Sequence, residues 1–460
     1  MQQILAITWL TWKAAFRFRL FWVIVALLLI CVVGLPLLLK DDGTARGFTQ
    51  IILTYTLATI STLLGLSTLW LACGTLARDI EECQIQMVAV KPVARWQIWM
   101  GKWLGLVTLN ASLLAISGAG VFALMQYRAA RLPPEQLTAL RNEVLVARES
   151  ARPDDVSGEI QREAERRLQE RLRSSPVAQV DLPEVRRQIV ELVKAEYQVV
   201  PPGFLRMWEI KIPRPEELRT RPLQLRIKFN AANGDTMGTF TGLWQIGVPG
   251  QTPVHRLDPM SLAAETFHEF AIPAGLYDET GLLTITFVNA NEIALLFPLD
   301  EGMEVLFPVG TFGGNFARGL GVIFCWMVLL ATLGLTASSF LSFPVASFVS
   351  LSALLITLSS GTMASAVAEG TIAGWNAEKG TKGYTPLDEL VIPAFKATLG
   401  VINLAKSFSP IDFLSTGRSI TWGQLGMAIT QIILVLGGIL AVIGIAVFHR
   451  RELATAQGNQ

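Results

Sequence analysis

Six stretches of the chain are long and apolar enough to form a helix across a bilayer, which takes about 20 mainly apolar residues. They are residues 20–39, 51–76, 103–125, 320–341, 345–368 and 425–448. Only Ser342, Phe343 and Pro344 separate the fourth from the fifth. The first run is too long for a cleaved leader, has no small-x-small exit and ends in Leu39-Lys40-Asp41-Asp42, so it reads as a signal anchor.

Between the third and fourth runs lies a polar insert, 127–316, large enough for a domain with its own core. Its first part has helical periodicity. Pro133-Pro134 opens a helix with Leu137, Leu140, Val144 and Ala147 on one face; Ile160, Ala164, Leu168 and Leu172 mark a second; Val185, Ile189, Leu192 and Val193 mark a third. After Pro201-Pro202-Gly203 the period changes to two. Residues 208–212, 223–229 and 283–287 alternate apolar and polar positions, with Pro, Gly and Asn between them, which predicts an antiparallel β-sandwich.

Charge sets the orientation. Lys13, Arg17 and Arg19 precede the first run; Arg78, Lys91, Arg95 and Lys102 fill the second connection; Arg450 and Arg451 follow the last. With six crossings all three places fall on one side, which the excess of Lys and Arg makes cytoplasmic. Both termini are then cytoplasmic, and 40–50, the insert and 369–423 face outward. The fold expected is a multi-pass α-helical membrane protein of six transmembrane helices carrying an extracytoplasmic α+β domain, a helical segment plus the sandwich.

Composition agrees. The chain has 460 residues, 51% apolar and 16% charged, with a mean hydropathy of +0.45; soluble domains carry about 25% charge. A net charge of +1 gives no electrostatic case for nucleic acid, and the apolar content excludes intrinsic disorder. Of Cys31, Cys73, Cys83 and Cys325, three lie in apolar runs and none in the insert, which therefore has no disulfide framework. His255, His268 and His449 form no metal-ligand spacing, so no metal site is expected. Gly374-Trp375-Asn376-Ala377-Glu378-Lys379-Gly380-Thr381 misses a phosphate loop by a transposed Lys and Gly, lacks a preceding strand and reads as a turn.

The segment joining the second and third runs is the most informative. Ile80, Cys83, Met87 and Val90 recur at helical spacing, with Asp79, Glu81, Glu82 and Gln86 on other faces. Pro92 bends the chain at Lys91. Trp96, Trp99 and Trp103 follow as a stripe expected at the membrane surface. This predicts a short charged helix held below the bilayer, able to receive a push from a cytosolic partner. The alternative is a positive-inside loop that only fixes topology; three carboxylates are more than topology requires.

These residues give the chain its resemblance to ABC-2 type permeases, in particular the subgroup related to the permease of the nitrous-oxide reductase maturation system. That subgroup shows Arg-Glu-Ile-Glu-x-Gly-Thr, then Lys-Pro-x-x-Arg and Gly-Lys. Here Arg78-Asp79-Ile80-Glu81, Lys91-Pro92-Val93-Ala94-Arg95 and Gly101-Lys102 stand at matching offsets, while Cys83 and Gln84 replace Gly-Thr. Residues 7–20 resemble the family's interfacial elbow helix, and Ser409-Pro410-Ile411-Asp412 a further short pattern. The likeness covers the membrane parts and not the insert, which is larger than the subgroup's.

The resemblance implies a non-enzymatic transmembrane subunit in a bacterial inner membrane. It would pair with a second permease copy, identical or not, contact membrane lipids, and bind cytosolic ABC ATPase subunits through Arg78, Asp79, Glu81, Glu82, Lys91, Pro92, Arg95 and Lys102. ATP and Mg would sit on the partner, with no cofactor and no catalytic residue on this chain. It divides the chain into 1–126 (elbow helix, three crossings and a coupling loop at 77–101), 127–316 (127–200 helical, 201–316 sandwich) and 317–460 (three crossings with external helices at about 369–423). Within the spans ionisable residues are scarce, which argues against an ion-coupled carrier; hydroxyls such as Thr59, Thr62, Ser359 and Ser360 line a pathway or, alternatively, pack helices. The leading expectation is an ATP-driven exporter subunit moving a lipid-like, polysaccharide or peptide cargo outward. The alternatives are ATP-driven mechanical action on an extracytoplasmic protein without transport, and a membrane-anchored binding module without a motor.

Overall fold

Helix α1 (Gln2–Arg17) is amphipathic and buries Ile7, Thr11 and Ala15 at four-residue spacing. Helix α2 (Arg19–Leu38) follows. Helix α3 (Ala45–Glu81) is an unbroken 37 residues, about 55 Å at 1.5 Å per residue. That exceeds the roughly 30 Å hydrocarbon core of a bilayer. Arg78-Asp79-Ile80-Glu81 is therefore the last turn of a long rod, where the sequence predicts a separate short helix over 78–95. Helix α4 (Arg95–Ala129) has 35 residues, and α5 (Pro134–Glu143) opens on its proline. The computed structural model describes residues 1–17, 19–38, 45–82, 84–85, 93–174, 182–234, 238–372, 375–376, 381–382, 385–406 and 408–451.

The chain folds as two compact units, Met1–Ala147 with Gly310–Gln460, and Arg148–Val309. The second is narrower than the 127–316 read from sequence, because α4 runs on through Ala129 and α5 belongs to the helical unit. Strand β1 (Val146–Ala151) leads into it, within the stretch expected to be helical. Helices α6 (Ser157–Ser174) and α7 (Leu182–Gln198) pair through Ile160, Ala164, Leu168, Ile189 and Val193, as the helical spacing predicts.

Among the described residues of this unit eleven further strands follow: β2 (Val199–Val200), β3 (Leu205–Lys211), β4 (Leu223–Ile227), β5 (Asn230–Ala231), β6 (Thr239–Ile246), β7 (His255–Leu257), β8 (Ser261–Ala263), β9 (His268–Ile272), β10 (Leu282–Asn289), β11 (Leu295–Leu296) and β12 (Met303–Thr311). They form a four-stranded sheet ordered β1-β12-β4-β9, a sheet ordered β3-β10-β6-β7 with β8 beside β6, and a small one ordered β2-β11-β5. Ile285 of β10 lies opposite both Trp208 and Ile246. Leu223, Leu225 and Ile227 of the first sheet share one core with Trp208, Ile210, Trp244 and Phe287 of the second. Rings close that core, Trp244 lying 4.5 Å from Phe287 and Phe297 5.1 Å from Phe287.

Returning to the helical unit, α8 (Phe312–Ser338) is its most enclosed helix. The run 345–368 breaks into α9 (Phe343–Leu358) and α10 (Ser360–Glu369), bent by 52° at Ser359. Helices α11 (Asp388–Lys406) and α12 (Pro410–Ser415) fill the connection read as external helices. Helix α13 (Trp422–Arg450) contains a π-helical stretch, Ile429–Gly437. Among the described residues four helices are long and apolar enough to cross a membrane, or up to six if each of two bent pairs is one crossing. This is the build of a multi-pass helical membrane protein bearing antiparallel sheets.

Candidate functional site

The charged end of α3 is tied inward. Lys102 of α4 donates to the Thr75 carbonyl at 2.7 Å and makes an ion pair with Asp79. Its side chain is only 8% exposed, against 34% for Asp79. An ammonium that deep persists only with a counter-charge and hydrogen bonds. One residue earlier, Gly101 is required by contact: a Cβ there would lie 2.7 Å from the Ile7 Cβ, and one at Gly105 would lie 2.6 Å from that of Thr11. Helix α1 thus beds onto two glycines one turn apart on α4, joined by Thr8 to the Gly101 carbonyl at 3.1 Å and Trp12 to Thr108 at 2.9 Å. The Gly-Lys pair noted in the sequence has one residue for each neighbour.

Further side chains close neighbouring helix ends. Glu81 accepts the Phe343 N–H at 2.9 Å, a carboxylate at the amino end of α9 where the helix dipole favours it. The Arg78 guanidinium stacks 4.3 Å over the Phe343 ring. Arg95 donates to the His449 carbonyl at 2.7 Å and to that of Arg451 at 2.6 Å, at the carboxyl end of α13. Arg451 reaches the Ser339 carbonyl at 3.1 Å just beyond α8, and the Trp99 indole donates to the Ser339 hydroxyl at 3.2 Å. The ends of α3, α4, α8, α9 and α13 are thereby linked by one polar clamp.

Of the predicted interface residues, Arg78, Asp79, Glu81, Arg95 and Lys102 all belong to this clamp. Glu82 is exposed and accepts from the Gln84 amide at 2.6 Å. Lys91 and Pro92 lie outside the described residues, as do Cys83, Met87 and Val90. The tryptophan stripe is corrected: Trp99 is fully buried and Trp103 donates to Thr332 at 2.8 Å, so both face the helix bundle, and only Trp96 is largely exposed. An indole N–H at that depth needs an acceptor; Thr332 of α8 supplies one to Trp103 and Ser339, just beyond that helix, one to Trp99. Sequence reasoning missed Thr75, Ser339 and Phe343, which are ordinary residues in an apolar context; Gly101-x-x-x-Gly105 was the available signal for the α1 seat.

The pathway candidates do not form one lining. The Thr59 hydroxyl donates to its own Tyr55 carbonyl at 2.7 Å; Thr62 is exposed; Ser359 sits at the α9–α10 break with Ser360 buried beside it. Other span hydroxyls turn back likewise, Thr68 to Leu64 at 2.5 Å and Thr357 to Ala353 at 2.9 Å. Among the described residues, none of these four lines either of two cavities in the helical unit. One, of about 630 Å³, lies between α1, α3 and α4 at the clamp. The other, of about 680 Å³, is an apolar groove between α2 and α4. The near-phosphate-loop segment falls mostly outside the described residues, though Trp375–Asn376 pairs with Thr381–Lys382.

The inserted unit has a buried ionic layer of its own. On β4, Arg226 bonds Glu304 of β12 at 3.0 Å and lies 3.7 Å from Glu269 of β9. Arg148 of β1 reaches Glu269 at 3.2 Å and also bonds Gln224. The alternation in β4 therefore separates an apolar face from a buried charged one. On the α6 surface, hydrogen bonds from Arg166 and Arg167 hold the Glu163 carboxyl down to a pKa of about 2.

Compared with protein-family models, curated proteins and solved structures, the chain has no match to any of the three.

Proposed function

We propose that the chain is the membrane subunit of an ABC-2 type export system, a passive lever driven by a separately encoded cytosolic ATPase. In this reading the chain crosses the bacterial inner membrane six times, α9 with α10 forming one bent crossing. Both termini lie in the cytosol, the Arg148–Val309 unit lies outside, and a second permease copy completes the pathway. The observation that carries the reading is the clamp. A rigid rod of about 55 Å ends in a charged turn whose side chains bond α4 and α9, while Arg95 of α4 holds the end of α13 and Arg451 the end of α8, so a displacement applied near Glu82 reaches α9 directly and α8 and α13 by way of α4. A loop that only fixed topology would have no use for that linkage. The sequence resemblance at Arg78–Glu81 and Gly101-Lys102 supports the same reading.

Because Glu81 is occupied by the Phe343 N–H, the residue left for a basic face of the motor is Glu82. Glu82→Lys should leave the purified subunit folded while releasing the ATPase or uncoupling its hydrolysis from transport. Unchanged assembly and unchanged coupling would count against the proposal.

A second reading, mechanical action on an outside protein without transport, is favoured by the size and independent core of the Arg148–Val309 unit. The Cβ of Ala147 lies 3.6 Å from where one on Gly310 would stand, so a short Gly-Ser link can replace the unit without parting α5 from α8. Substrate flux retained after that replacement would exclude the mechanical reading.

A further inference from the structure

The cavity at the clamp combines two surfaces that a soluble ligand would not need together. Its floor is apolar, formed by Ile7, Leu71, Ile85, Ile98 and Leu106. Its lining carries four cations, Lys13, Arg17, Arg78 and the buried Lys102, against two carboxylates, Asp79 and Glu82. Asp79 is paired with Lys102, which leaves Lys13, Arg17 and Arg78 against the single carboxylate of Glu82, itself an acceptor for the Gln84 amide. Lys13 and Arg17 are exposed on α1 and make no ion pair among the described residues; Lys13 lies 5.6 Å over the Trp9 ring. The α1 seat on Gly101 and Gly105 fixes the spacing between that cationic helix and the floor.

We infer that this cavity is a binding site for an anionic membrane phospholipid, its phosphate between Lys13, Arg17 and Arg78 and the upper part of a chain on the apolar floor. Charge complementarity selects the anion. The depth of apolar lining selects an amphiphile over free phosphate, and the amphipathic α1, with basic residues on its exposed side, is the element that meets a bilayer surface. The inference rests on the chain being a membrane protein and not on its having a motor. The site would tether α1 to the lipid beside the clamp, so the headgroup composition of the bilayer bears on the same helix ends that a partner would move.

Native mass spectrometry of the full-length chain, titrated in detergent with phosphatidylglycerol or phosphatidylcholine, tests the site. Each cation near a lipid surface contributes about fivefold to anionic-lipid binding, so wild type should retain phosphatidylglycerol in preference, and Lys13→Gln with Arg17→Gln should weaken it about 30-fold. Ala14→Trp fills the same cavity without altering charge and should also displace the lipid, whereas Arg166→Gln, on the surface of α6, should leave binding unchanged. Equal retention of both lipids by wild type, or undiminished preference in both the double variant and Ala14→Trp, would overturn the inference. So would displacement of the lipid by glycerol phosphate at equal concentration, since the site would then be one for a soluble phosphate. Co-purification of an ATPase is read separately, so failure of the lipid site and failure of the export proposal are distinguishable.

Discussion

The Asp79–Lys102 pair lends itself to a perturbation with an unequal outcome. Lys102 is the deeper partner, 8% exposed against 34% for Asp79. Asp79→Asn strands a buried ammonium that keeps the Thr75 carbonyl. Breaking a buried pair costs about 3–5 kcal/mol, and a surviving bond to a charged group returns about 1.5–3 of it, so a loss of about 2 kcal/mol is expected. Lys102→Met keeps the volume and leaves the carboxylate, which is open enough to hydrate; its cost should be about 1 kcal/mol, near that of an exposed pair. With Lys102 already Met, adding Asp79→Asn should cost little more, because no cation remains to strand. The assay is apparent thermal midpoint of the purified chain in one detergent at one scan rate, since unfolding of such a chain is governed by rate. Asp79→Asn should lower the midpoint clearly more than Lys102→Met, and the double variant should match Lys102→Met. Additive losses, or a larger loss for Lys102→Met, would refute the argument that desolvation of the ammonium makes the pair necessary.

Gly105→Leu should lift α1 at a cost of about 1–3 kcal/mol from overpacking against Thr11, read as maleimide labelling of a cysteine placed at Thr11 that is blocked in the parent. Glu304→Leu leaves Arg226 buried with Glu269 at 3.7 Å and should destabilise the inserted unit by about 3 kcal/mol, seen as lowered protection of β4 amides in hydrogen exchange of the full chain. In acid, Glu163 should matter with a definite sign. Its pKa is lowered in the folded state from 4.5 to about 2, so its contribution is complete above about pH 4.5 and disappears as pH falls towards 2. The difference in thermal midpoint between Glu163→Gln and the parent should be steady above that window and vanish below it.

Much of the architecture was legible because the governing signals are long. Six apolar runs mark the long helices, and period two marked β3, β4 and β10 to within three residues at each end. What escaped was set by contacts across the chain. Residues 345–368 read as one continuous crossing; the bend falls at Ser359-Ser360, where hydroxyls can satisfy freed backbone groups. The π-helical stretch 429–437 has no marker beyond Thr430-Gln431 in an otherwise apolar run. Gln224 and Arg226 look like solvent-facing positions until Glu304, Glu269 and Arg148 arrive from three other strands to bury them, one of those strands lying where helix was expected. At the candidate site the residue types were right and their employment was not foreseen. The carboxylates of Asp79 and Glu81 face Lys102 and the α9 amino end, partners 23 and 262 positions away, and no local pattern encodes those pairings.

The central proposal is that a separate motor docks at the end of α3. A photo-crosslinking amino acid placed at Glu82 in intact cells addresses it most directly. The export reading requires one dominant adduct, to an ABC-type ATPase, together with protection of a cysteine at the same position from membrane-impermeant reagents applied outside. Labelling from outside, or an adduct pattern containing no ATPase, would contradict it.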